Sequence, residues 1–385
     1  MVKKIIDELE AQAKEQNREL VRQKEQGVPL IGYNSTFIPE ELIRAAGANT
    51  YYMCRGGEPE PPEAVFDNML RFMNPLARSL AGFNVLGLDP LTPRADMVVV
   101  AEIDTHYGRI SEYMEFNGMN IAKVGVPGDW ERGIALDYYA RSIEKLLAKV
   151  SKITGKEVDM ALARKYFETS NRINEVLRKL SALRKKPNPP VGFTELLRLN
   201  HLSLLCNSEF FLEKASALYD ELKDAPGKFA EGAPRIVTAG RAYAIGDYTV
   251  PRKIEERGGI IVAEMMDEGS RAYDIDVPTD GDLVKSFARN RYRDRAPINQ
   301  FQPSWKARFA HLKSLIDEYN AGGVLWYQLA FDEIYDMEYS CAAKWLGELG
   351  VPFLKLETSY TYTREEMGPM LTRVESFIAS IKEEK

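Results

Sequence analysis

Residues 95–109 read ADMVVVAEIDTHYGR. The apolar run stops at Asp104 and passes at once into the polar and flexible residues Thr105, His106, Tyr107, Gly108 and Arg109. A short apolar run ending in turn chemistry is the pattern of a parallel strand covered on both faces. In open α/β sheets ligands gather beyond the carboxyl ends of such strands, so Asp104 stands where a ligand is expected. Residues 322–336, GGVLWYQLAFDEIYD, repeat the pattern of glycine, apolar run and aspartate, here Asp332.

Working outward from the first stretch, strand-like runs at 29–34, 49–54 and 121–127 alternate with helical ones. Pro39, Glu40 and Glu41 open one helix, where a missing N–H is not needed and acids meet the positive helix end. Around the second stretch, strands are expected at 235–240, 260–265 and 352–360. Between them, from about 132 to 225, the spacing of apolar residues changes to that of long helices. The fold class read from this order is α/β: two Rossmann-like, doubly wound domains with parallel sheets and a helical segment between them. The divisions are an N-terminal helix (1–28), a first α/β domain (29–130), the helical segment (131–232) and a second α/β domain (233–385). PEELIRAAGANTYYM (39–53) and PRKIEERGGIIVAEM (251–265) share one frame of proline, helix, glycine, strand and methionine. If the two halves are divergent copies, Asp104 and Asp332 are equivalent positions facing each other across an interdomain cleft, a common place for ligands.

Bulk properties narrow the function classes. A chain of 385 residues is long for one core and suits two or three domains. A net charge of −6 argues against a general nucleic-acid binder. No apolar run reaches the length of a membrane span, and the charged, amphipathic N-terminus is unlike a signal peptide, so a cytoplasmic protein is expected. Three cysteines without CxxC spacing fit a reducing compartment. Cys206 and Cys341 fall in helical patterns and read as small buried hydrophobes; Cys54, before Arg55-Gly56-Gly57, is left open. His201 reads as a packed helix histidine.

Three sets of residues are candidates for chemistry. Asn74, Asp104 and Asp332, with His106 and Glu333 nearby, offer hard donors for a divalent cation or carboxylates for acid–base work; an aspartate after a strand also commonly caps the next helix. Ser35 and Thr36, ahead of the Glu40–Glu41 helix start, suit an anion such as a carboxylate or phosphate. Arg55, Arg71, Arg78, Arg109, Arg241 and Arg252 include several in loops after strands, where arginine meets phosphates. A dinucleotide fingerprint, a Walker-A sequence and a Ser-His-Asp set are all absent.

GVPLIGYNSTFIPEELIRAAGA (27–48), NPLARSLAGF (74–83), ADMVVVAEID (95–104), GGVLWYQLAFD (322–332) and GVPFLKLETSYT (350–361) together resemble the β-type subunits of the 2-hydroxyacyl-CoA dehydratases, related to benzoyl-CoA reductase. The likeness spans nearly the whole chain. It implies an anaerobic, two-subunit lyase or reductase in which each subunit pairs two Rossmann-like domains. In the family three cysteines hold an iron–sulfur cluster in the interdomain cleft, and a separate ATP-hydrolysing activator delivers an electron. Here the three cysteine positions fall on Asn74, Asp104 and Asp332, and oxygen and amide groups are poor replacements for thiolates. The resemblance therefore implies a subunit with no 4Fe-4S cluster of its own, beside a homologous α-type subunit that carries one. This chain is expected to contribute acyl-CoA binding and cleft shape, with Ser35, Glu40 and Asp104 as catalytic candidates and Thr36, Arg55 and Arg109 as substrate-binding candidates. Two alternatives stay open: a different enzyme on the same scaffold, using an Asn74/Asp104/Asp332 cleft for a divalent metal or acid–base chemistry, and a non-catalytic scaffold subunit.

Overall fold

The computed structural model describes residues 1–69 and 71–383. Its first sheet holds β1 (Leu30–Tyr33), β2 (Asn49–Tyr52), β3 (Met97–Glu102) and β4 (Ile121–Gly125), and its second holds β5 (Arg235–Ala242), β6 (Ile260–Glu268), β7 (Gly323–Leu329) and β8 (Phe353–Thr358). Every neighbouring pair is parallel. The strand orders are β2-β1-β3-β4 and β6-β5-β7-β8, so the second sheet repeats the first with four added to each number. This is the expected pair of Rossmann-like sheets. The opening stretch is β3, buried from Met97 through Ala101 as a strand covered on both faces should be.

Four helices lie between the sheets in sequence: Gly133–Thr154, Met160–Ala182, Phe193–Ser203 and Ser208–Leu222. The N-terminal helix, Val2–Glu25, lays Ile6, Leu9 and Ala13 against Leu177, Leu180, Phe211 and Leu218 of this group. Spacings of three and four put those residues on one helix face, so this helix is tied mainly to the helical segment. No helix among the described residues is long and apolar enough to cross a membrane.

The two sheets share one apolar core. Ile31 and Val99 of the first belong to the same buried cluster as Ile236, Leu325 and Tyr327 of the second. Backbone bonds stitch the seam at two places. Ile245 N–H donates to the Cys54 carbonyl at 3.1 Å and Gly56 N–H to the Ile245 carbonyl at 3.0 Å; Gln302 N–H donates to Gly128 at 2.6 Å and Trp130 N–H to Gln302 at 3.1 Å. Gly57 makes the first of these possible: its φ is +87°, and a Cβ there would stand 2.7 Å from the Gly246 carbonyl oxygen.

Several details differ from the sequence reading. β5 and β6 run beyond their expected ends, to Ala242 and Glu268. The helix after β3 begins at once, at Thr105, so residues 105–109 are its first turn and not a loop. Between β2 and β3 the chain forms a single turn at Glu60–Glu63 and a helix at Pro75–Val85. Cys341 is exposed on its helix and Cys206 is half-buried between helices, so neither is the buried hydrophobe expected; Cys54 is buried.

Candidate functional site

The two strand-end aspartates meet at a further residue, and Asn74 joins them through Asp332. Arg241, next to last in β5, reaches between Asp104 and Asp332. Its Nη1 lies 2.7 Å from Asp104 Oδ2. Its Nε and Nη2 donate to Asp332 Oδ2 and Oδ1 at 2.5 and 2.8 Å. Asn74 Nδ2 donates to Asp332 Oδ2 at 3.0 Å, and Asp104 Oδ1 accepts from Tyr107 N–H at 3.0 Å. All four carboxylate oxygens thus have a nitrogen within 3.0 Å. The side chains of Arg241, Asp104 and Asp332 are 5, 6 and 2 % exposed. Burial pushes the Arg241 guanidinium down, and the charges of Asp332 and Asp104 more than reverse this, holding it well above its ordinary value.

Local sequence explains how each group arrives. Asp104 and Asn74 are both helix N-caps: Asn74 Oδ1 accepts from Leu76 N–H at 2.8 Å, ahead of Pro75 at the first helical position. Capping and cross-domain pairing therefore coexist in the same two side chains. Gly82 lets that helix close on the turn before it, since a Cβ there would lie 1.7 Å from the Pro61 carbonyl oxygen. His106 Nδ1 accepts from Asn74 N–H at 3.3 Å. Asp332 follows Phe331, a non-glycine residue at φ +61°. That left-handed turn sends Phe331 outward, edge-on to Phe72 at 5.5 Å, and Asp332 inward.

The hydroxyl pair Ser35–Thr36 also has a partner from the other domain. Thr36 Oγ1 donates to Glu268 Oε2 at 2.6 Å, Ser35 Oγ bonds Oε1, and Thr36 N–H points at both oxygens at 3.3 and 3.4 Å. The hydroxyls expected to face an anion are bonded by the chain's own Glu268. Burial raises the Glu268 pKa, while the Ser35 and Thr36 hydroxyls pull it back. A bulge sets this up. Register steps from Ile236↔Ile261 to Val237↔Ala263, leaving Val262 unpaired. Beyond such a bulge the faces exchange, and Glu264, Met266 and Glu268 share one side of β6.

The remaining candidates lie elsewhere. Glu40 accepts from Thr50 Oγ1 at 2.8 Å and lines, with Arg55 and Arg44, a separate 110 Å³ pocket against the N-terminal helix. Arg109 is exposed and pairs with Glu112 at 2.6 Å. Glu40, Arg55 and Arg109 are therefore not brought to the Asp104 centre. Arg241, read among loop arginines suited to phosphate, meets carboxylates instead. An open cleft of 770 Å³ does adjoin Asp104, walled by Thr105, Asp129, Gln300, Gln302 and Ile334. His201 is buried, with Nδ1 2.9 Å from Tyr248 Oη and Nε2 2.9 Å from the Tyr243 carbonyl; burial lowers its pKa to about 4.

Asp247, like Glu268, escaped the sequence reading. Asp247 is fully buried in the loop after β5 and accepts from Tyr327 Oη at 2.5 Å and Tyr362 Oη at 3.2 Å. Burial raises its pKa to about 7, against the pull of the two phenols. Only its place in an Ile-Gly-Asp-Tyr turn hinted at it.

The donor set does not fit an iron–sulfur cluster. The three positions that would carry thiolates present an amide and two carboxylates, and a guanidinium stands among them. Cys54 is a lone buried thiol with its pKa pushed up to about 12, by burial first and then by Glu268. A divalent ion at Asn74, Asp104 and Asp332 would have to displace Arg241. No group of three or more metal-binding side chains is found among the described residues.

Comparison with known proteins follows the same lines. The family model for "2-hydroxyglutaryl-CoA dehydratase, D-component" matches residues 35–381. The chain is also similar to "Putative dehydratase subunit YjiM" of Escherichia coli (strain K12), with 25% identity over 362 residues, 92% of each protein.

Proposed function

The chain belongs to the 2-hydroxyglutaryl-CoA dehydratase D-component family, and from that premise we propose that it is the cluster-free subunit of a 2-hydroxyacyl-CoA dehydratase-type or benzoyl-CoA reductase-like assembly. A D-component is one part of a larger enzyme, so membership implies a partner subunit. In this reading a homologous α-type partner holds the 4Fe-4S cluster and receives the electron from an ATP-dependent activator. This chain supplies one wall of the acyl-CoA site.

The observation that carries the reading is Arg241 between Asp104 and Asp332. A permanent cation stands where the family resemblance puts a thiolate-bound cluster. The 770 Å³ cleft beside Asp104 has the size of a small-molecule site. Its side-chain amides, Gln300 and Gln302, and the hydroxyl of Thr105 can hydrogen-bond an acyl thioester. Ser35 and Thr36 are engaged by Glu268, so the cleft takes the place of their loop as the substrate wall. Arg241 acts as a positioning residue: it fixes Asp104 and so the floor of the cleft.

The test is anaerobic co-expression with a cysteine-bearing homologue, followed by iron, sulfide and visible-absorption measurements. The expected result is a stable pair containing a 4Fe-4S cluster, no iron in this chain alone, and weaker acyl-CoA binding by the pair after Gln302→Ala. A cluster spectrum from this chain alone overturns the assignment of the cluster to the partner. Failure to pair with such a homologue overturns the two-subunit reading. Unchanged acyl-CoA binding and turnover after Gln302→Ala and Thr105→Ala favours the scaffold reading, which has its own support in the filling of both expected ligand positions by Arg241 and Glu268.

A further inference from the structure

A second cavity, of 380 Å³, lies between the end of the helix Met160–Ala182, the edge strand β6 and the helix Trp305–Glu318. Its walls include Arg184, Arg271, Arg308 and Glu264, which are 1, 6, 2 and 6 % exposed. Lys185 and Glu318 form an exposed ion pair at its rim, 2.5 Å apart.

The buried charges are incompletely matched. Arg184 donates Nη2 to Ser181 Oγ at 2.7 Å, but its Nε and Nη1 have no partner and no carboxylate among the described residues lies within ion-pair distance. Arg271 donates Nε and Nη2 to the Ala296 and Arg291 carbonyls at 2.6 and 2.5 Å and has no carboxylate among the described residues within ion-pair distance; the charge of Asp274, on the same wall and paired with Arg295 at 3.4 Å, reaches it from farther off. Arg308 is neutralised by Asp267 and Glu338 at 3.0 and 2.9 Å, yet its Nη2 is unpartnered. Glu264 Oε1 accepts from Ser270 N–H at 3.0 Å, while Oε2 has no partner. Arg184 and Glu264 feel each other's charge across the cavity, but they form no ion pair. An unpaired buried guanidinium is costly, and so is a buried carboxyl oxygen with nothing to accept from or donate to. Both needs are met by a guest that brings negative charge to the arginines and a hydrogen-bonding group to Glu264.

We propose that this cavity is a binding site for a small dicarboxylate bearing a hydroxyl or ammonium group, with its carboxylates on Arg184 and Arg271 and its substituent on Glu264. Two guanidiniums without an ion pair match two carboxylates, and planar N–H forks suit carboxylate geometry. Glu264 titrates at about 7, because burial raises it and Arg184 draws it back. It is therefore able both to accept from an ammonium or hydroxyl and to donate to a hydroxyl oxygen. The site is separate from the Arg241 centre and does not rest on the family reading.

Titration calorimetry of the full chain with succinate, malate and aspartate tests this, since the three differ only in H, OH or NH₃⁺ at one carbon. Malate or aspartate should bind saturably and more tightly than succinate. Arg184→Met should weaken binding by about tenfold or more, the scale of a lost charge-assisted hydrogen bond. Glu264→Gln, nearly isosteric, should keep the fold and change the preference among the three ligands. Thermal unfolding of each variant separates lost binding from lost structure. No saturable binding by wild type, or binding untouched in a folded Glu264→Gln chain, overturns the proposal. Tighter binding of inorganic phosphate than of malate overturns the carboxylate assignment.

Discussion

Arg241 and Asp104 meet across the seam between the two α/β domains, Nη1 to Oδ2 at 2.7 Å, each side chain about one-twentieth exposed. The same guanidinium forks onto Asp332. Removing one partner of a buried pair leaves charge without compensation and costs about 3–5 kcal/mol. Arg241→Met is expected to destabilise the chain on that scale in urea unfolding. Adding Asp104→Asn and Asp332→Asn should recover most of the loss, because the two carboxylates would otherwise repel in a buried space. A triple variant no more stable than the single one would show that Arg241 matters for shape rather than charge.

Glu268 fills the Ser35–Thr36 cradle, so deleting its carboxylate strands two hydroxyls and an N–H. Glu268→Ala should cost about 1–3 kcal/mol, and Glu268→Gln less, since its carbonyl oxygen still accepts. Hydrogen exchange should rise at residues 35–38 in the alanine variant and stay near wild type in the glutamine variant.

Asp247 sets a pH dependence. Its folded pKa of about 7 lies above the ordinary 3.8. Between those values the folded chain holds a proton that the unfolded chain has released. The stability it contributes is complete at low pH and drains away as pH rises to about 7, at up to about 1.4 kcal/mol per pH unit. Asp247→Asn mimics the neutral acid and should flatten this part of the profile. Melting temperatures of both chains from pH 5 to 8 check it: their difference should grow toward pH 7 and then level off.

The cysteines should differ in reactivity. Cys341 is exposed, Cys206 half-buried and Cys54 buried, with burial raising the pKa of both Cys54 and Cys206 to about 12. A thiol reacts as its thiolate. A disulfide-exchange reagent should label Cys341 first in the native chain and reach Cys54 only on unfolding, with mass mapping of the labelled peptides as the readout.

The two sheets were legible because β3 and β7 announce themselves: a glycine or aspartate, an apolar run, then Asp104 or Asp332. Those aspartates were placed correctly at strand ends, yet their partner was not. An arginine at a strand end carries no local mark of the carboxylate it will meet, and Arg241 lies far along the chain from Asp104. Glu268 was hidden differently. Asp267-Glu268-Gly269 reads as turn chemistry, so β6 was expected to end at Met265, and the bulge at Val262 that aims Glu268 at the cradle has no sequence signature. Cys341 shows the usual limit of helical periodicity: it locates a helix but not which neighbour covers each face.

Arg241 has one further consequence. A guanidinium keeps a single charge at any redox potential, and dioxygen does not attack it. The link it makes between Asp104 and Asp332 is therefore the same under oxidising and reducing conditions.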